Sequence, residues 1–115
     1  ISLDPKGYDI SAEDALAQLH NYMNGIPKSR EQTMWARGSL DQMAIDSLAK
    51  KLDMQPITGY NMWRDVRTAV DMLYGTTNGY VEVDHPTFER HNVIKHHPVH
   101  DCALDAMQLM YGKQV

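Results

Sequence analysis

The chain has 115 residues, 43% of them apolar and 23% charged, which suits one modest globular domain and is too short for two. No apolar run is long enough to span a bilayer, and Ile1-Ser2-Leu3-Asp4 is not a basic stretch followed by an apolar core, so neither a membrane segment nor a secretory signal is expected. A single cysteine, Cys102, excludes an internal disulfide and fits a reducing, cytoplasmic setting, while a formal charge of −4 argues against nucleic-acid binding by bulk electrostatics.

In chain order, Ser11 reads as a helix N-cap, with Glu13 and Asp14 in the first turn, where the helix dipole favours negative charge. Ala12, Ala15, Leu16, Leu19 and Met23 recur at helical spacing, and Asn24-Gly25-Ile26-Pro27 ends the element. His20 on this helix reads as solvated. Gln32 to Ala36 is short and apolar, the pattern of a buried strand. Arg37-Gly38-Ser39 breaks it. A second helix follows from Leu40 to Leu52, with Leu40, Met43, Ala44, Leu48 and Leu52 as its expected core face.

Asp53 to Tyr60 reads as a loop and Asn61 to Val66 as a short second strand. Thr68 to Tyr74 is expected to be helical, with Val70 and Leu73 inward, and Gly75 to Gly79 to be a turn. Tyr80 to Asp84 alternates weakly, with Val81 and Val83 on one side, as a brief strand or an extended lid segment would. His85 to Pro98 is a histidine-rich loop, and the last helix runs on through Met107, Leu109, Met110 and Tyr111.

Three constellations have the residue types for chemistry. The first is Asp41 with His100 and Asp105. Asp41 opens a helix just past the carboxyl end of a strand, where sites form in open α/β sheets. His100 stands where a loop becomes a helix, and Asp105 follows five positions later. The bland reading of Asp41 is that it only complements the helix dipole. The second is His91, His96, His97 and His100, of which His96 and His100 have the spacing that seats a metal on a helix. Pro98 between them argues against a regular helix, and no cysteine or glutamate completes a tetrahedral zinc set nearby. The third is the Met and aromatic content, which reads as core filling.

Trp35-Ala36-Arg37-Gly38-Ser39-Leu40-Asp41 resembles the second motif of DEDDh 3′–5′ exonucleases, where a strand ends in a small loop and an aspartate opens the next helix. Trp63-Arg64-Asp65-Val66-Arg67-Thr68 resembles the RDxRT-like segment of that family's phage branch. His100-Asp101-Cys102-Ala103-Leu104-Asp105 resembles the third motif, a histidine with four residues before the aspartate. The resemblance is nearest to the exonuclease A (DexA-like) group of tailed phages. The family's first motif, Asp-x-Glu on an early strand, has no counterpart here, and Glu82-Val83-Asp84 is reversed and too late.

The resemblance implies an α/β, RNase H-like fold, of which residues 1–115 would be the helix-rich C-terminal part of one exonuclease domain. It implies two divalent metals, Mg2+ or Mn2+, with Asp41 and Asp105 among the ligands and His100 as the general base; without the Asp-x-Glu pair, weak metal binding and little activity are expected of these residues alone. The implied substrate is DNA ends, single-stranded DNA or oligonucleotides, acted on in a host cytoplasm if the source is a phage. Three expectations follow. Asp41 and Asp105 should bring their carboxylates to a shared metal position near the end of the Thr33–Ala36 strand. An open sheet edge should be met by the missing N-terminal part or by self-association. Without metal, the His100 ring should be swung out or poorly ordered on a mobile lip, while Ala103, Ala106 and Met107 pack the helix that fixes Asp105. The alternative is a catalytically inert RNase H-like binding or scaffold module, and a zinc-stabilised helical module is a distant third.

Overall fold

The computed structural model describes residues 7–26, 32–57, 59 and 61–114. Four helices and two short strands follow one another as α1 (Ala12–Asn24), β1 (Met34–Ala36), α2 (Leu40–Lys51), β2 (Trp63–Asp65), α3 (Val66–Tyr74) and α4 (Pro98–Tyr111), with one 3-10 turn at Arg90–Asn92. The class is mixed α/β. The chain divides into two compact units, one ending at Arg64 and the other beginning at Asp65.

The first unit is built on a β-α-β arrangement. β1 and β2 pair as a two-stranded parallel sheet, and α2 makes the crossover that parallel strands need. The Met34 N–H donates to the Met62 carbonyl at 2.9 Å at the entry to the pairing. α1 starts as expected, since the Ser11 hydroxyl accepts from the Asp14 N–H. Its end is tied down by Gln32, a buried side chain whose amide donates to the Met23 carbonyl at 2.9 Å and the Ile26 carbonyl at 3.3 Å. Gln32 thereby adds a side-chain donor at the end of α1, where the Met23 carbonyl also accepts the Ile26 N–H at 3.1 Å.

Two expectations for this unit are corrected. β1 is not buried throughout: Ala36 is buried, but Trp35 between its neighbours points out and is 49% exposed. The inward face of α2 is the expected one only in its second half. Leu48 and Leu52 are half-buried as expected, but Leu40 and Met43 are 75% and 62% exposed and Ala44 is exposed, whereas Ala49 is buried and Gln42 and Ile45 are half-buried. Helical spacing permits both stripes.

The second unit is centred on Val66 and Val70 of α3, which are 1% and 0% exposed. Burying side chains of this size is worth roughly 1.5–3 kcal/mol each. α3 is capped at its start by Asp65, whose carboxylate accepts from the Thr68 N–H at 2.9 Å and the Thr68 hydroxyl at 2.7 Å. It ends at Gly75 in the left-handed conformation, φ 68. Leu73, expected inward, is exposed, and Tyr74 takes the inward place beside Val70.

The Tyr74 hydroxyl donates to the Leu109 carbonyl at 2.9 Å and accepts from the Gly112 N–H at 3.1 Å, closing the end of α4. A Cβ at Gly112 would lie 2.5 Å from the Tyr74 ring and 2.7 Å from the Gln108 carbonyl, so the position requires glycine. Residues 81–84 are extended, with Val81 and Val83 inward and Glu82 and Asp84 outward, and Val83 forms an antiparallel bridge with Gly112. That alternation is as expected.

Candidate functional site

Asp41 owes its place to a tight exit from β1. The chain turns through Gly38, whose φ of 73 is the left-handed region glycine favours, and enters α2 at Ser39. Ser39 makes no side-chain cap bond, so the first turn of α2 is left with open N–H groups. Asp41 stands in that turn and is exposed. Among the described residues its carboxylate has no hydrogen-bond or ion-pair partner. It is a charge placed by the backbone and left available.

The start of α4 is built the opposite way. Pro98 occupies the first helical position, where its missing N–H costs nothing, and, as expected, no regular helix runs from His96 through it to His100. His97 is the N-cap, and its Nδ1 accepts from the His100 N–H at 3.5 Å. His96, with φ 63, lies outside the helix, so the spacing of His96 and His100 does not place them on one helical face. The His97 and His100 rings lie against each other with centroids 4.3 Å apart.

His100 is not swung out. Its Nδ1 accepts from the Ile94 N–H at 2.9 Å, and its ring is half-buried. It lines a cleft of about 320 Å3 together with Phe88, Asn92, Val93, Leu104 and Met107. Asp105 is half-buried on the same helix. Five residues along an α-helix amount to a rise of about 7.5 Å and a turn of about 140°, so His100 and Asp105 do not share a face. The helix is packed by Gln108, which is 1% exposed, and by the half-buried Leu104 and Met107, while Ala103 and Ala106, expected to pack, are exposed.

Gln108 is the residue that sequence reasoning missed in this region. Its Oε1 accepts from the Val81 N–H at 3.0 Å, which docks the extended 81–84 segment onto α4. A glutamine among helical positions gives no signal that its partner is a backbone group 27 residues away. Asp41 belongs to the first unit and His100 and Asp105 to the second. Among the described residues, no three His, Cys, Asp or Glu side chains gather closely enough to hold a metal ion. No helix among them is long and apolar enough to cross a membrane. No family model, curated protein or solved structure matches the chain.

Proposed function

We propose that the chain is the C-terminal part of a DEDDh-type 3′–5′ exonuclease with an RNase H-like fold, acting on single-stranded DNA ends or oligonucleotides. The observation that carries the reading is the local setting of Asp41. A parallel strand ends, a left-handed glycine turns the chain, and an exposed, unengaged carboxylate stands in the first turn of the crossover helix. His100 in the first turn of α4 and Asp105 one and a half turns later support it by sequence position.

The donor chemistry suits the implied group, since carboxylate oxygens are the ligands that hard cations such as Mg2+ and Mn2+ take. Asp41 and Asp105 would hold it, with the remaining oxygens coming from water, the scissile phosphate and further acidic groups. Such a metal supplies a lowered pKa for the attacking water and stabilises charge on the phosphate oxygens. His100 would take the proton from that water. The acidity of the chain is no obstacle, because phosphate would be reached through the cation and not through a basic surface.

The test is a 5′-labelled single-stranded oligonucleotide incubated with the chain and Mn2+, alongside Mn2+ titration of wild type, Asp41→Asn and Asp105→Asn. Because the Asp-x-Glu pair has no counterpart here, the reading expects weak Mn2+ binding, lost in each variant, and little shortening from the 3′ end by these residues alone. Mn2+ binding unchanged in both variants would overturn it. The absence of Mn2+ binding in the wild type would favour the inert binding or scaffold module.

A further inference from the structure

Neutral imidazole carries one proton, so one ring nitrogen donates and the other accepts. In His100 the Nδ1 position is already spoken for, because it accepts the Ile94 N–H at 2.9 Å. Accepting requires the bare lone pair at Nδ1, which places the proton at Nε2. The ring then has no nitrogen left that can take a proton while this bond stands. The contact is supported on both sides. The adjoining His97 ring lies on that of His100 and accepts from its backbone N–H, and the Ile94 carbonyl accepts from the His97 N–H at 3.3 Å. Segment 94–97 is thus hooked to the first turn of α4 by its own backbone.

We infer that the Ile94 N–H to His100 Nδ1 bond is a latch that fixes the Nε2–H tautomer and keeps His100 from acting as a base until the 93–97 segment lifts. This rests on the exonuclease reading for its consequence and on the geometry alone for its existence. When the segment lifts, the Nδ1 lone pair opens. A water O–H can then pass its proton to Nδ1, and the ring, already protonated at Nε2, becomes an imidazolium. The latch is made by a main-chain N–H, so it does not depend on the identity of the Ile94 side chain, which is 56% exposed.

Proline at 94 deletes the donor, and the residue before it already has the backbone that a proline demands. Val93 has φ −93 and ψ 120, the extended backbone required of a residue before proline. The experiment is long-range 1H–15N correlation of the histidine rings in the labelled 115-residue chain, comparing wild type, Ile94→Ala and Ile94→Pro. Wild type and Ile94→Ala should show His100 almost wholly as the Nε2–H tautomer. In Ile94→Pro the His100 tautomer ratio should move to that of the exposed His96. A backbone ester at position 94, which removes the N–H without a proline ring, should do the same if the proline variant fails to fold. A wild-type His100 with the Nδ1–H tautomer, or with the same ratio as His96, would overturn the latch, as would a ratio unmoved by proline or ester. The outcome is independent of nuclease activity: a latched His100 in a chain that neither binds Mn2+ nor cuts DNA would sink the exonuclease reading and leave the latch standing.

Discussion

The two helix starts that hold the candidate residues are opposites. The first turn of α2 has a Ser39 that makes no side-chain cap bond and an exposed Asp41 carboxylate that nothing among the described residues engages. The first turn of α4 has a histidine cap, a proline at its first position and a second histidine whose ring is bonded back to the preceding loop. A group that serves structure is recognisable by what it satisfies. Asp65 satisfies the Thr68 N–H and hydroxyl, and Gln108 satisfies the Val81 N–H. Asp41 satisfies nothing comparable, so its charge is open to an external cation. His100 is committed, and its chemistry depends on release.

The largest effect that would sharpen this contrast is catalytic. If the exonuclease reading holds, then in a complete domain His100→Ala should lower turnover by roughly 10²–10⁴-fold, the usual worth of general-base catalysis, and leave metal affinity nearly unchanged. Asp105→Ala should lower both. Following nucleotide release during a metal titration separates the two, and an equal loss of metal affinity would make His100 a ligand instead.

Next in size is the anchoring of α4. Gly112→Ala drives a methyl into the Tyr74 ring and the Gln108 carbonyl and should cost about 1–3 kcal/mol, read from urea unfolding by circular dichroism. Gln108→Ala leaves the Val81 N–H without its acceptor in a half-buried setting and should cost about 1–3 kcal/mol by the same measurement. Wild-type stability in either variant would break the claim that α4 is held by these contacts.

The smallest effect is the most telling about Asp41. Asp65→Ala removes a working cap and should cost about 1 kcal/mol. Asp41→Asn should cost no more than the loss of a charge near a helix N-terminus, about 0.3–1 kcal/mol, and less in high salt. A penalty for Asp41→Asn above that of Asp65→Ala would mean that Asp41 is structural after all.

What was legible in the sequence was local. Ser11 with its acidic first turn, the apolar spacing through Leu16 and Met23, and the Gly38 break before Asp41 all depend on near neighbours, and α1, β1 and α2 follow where expected. The register of the first half of α2 was not legible, because Leu40, Met43 and Ala44 lead into Leu48 and Leu52 as well as Ile45 and Ala49 do. Only the neighbours of the helix decide which is buried. The start of α4 was legible as a loop ending at Pro98, and the helix begins at that proline. Its cap was not, because histidine is not among the usual N-cap residues. The roles of Gln32, Gln108 and Tyr74 were hidden because each satisfies backbone groups well separated in sequence. For the site itself, Asp41, His100 and Asp105 were legible from residue type and position and by resemblance, while the engagement of the His100 ring depends on how the 94–97 segment folds back.

The most direct test of the central claim is where a divalent cation sits. Mn2+ added at low ratio to the 15N-labelled chain broadens amide and side-chain signals close to its binding position, even when binding is weak. The exonuclease reading predicts selective broadening around Asp41 and Asp105 together, abolished by Asp41→Asn. Broadening confined to His91, His96, His97 and His100, or broadening around Asp105 that Asp41→Asn leaves untouched, would contradict it.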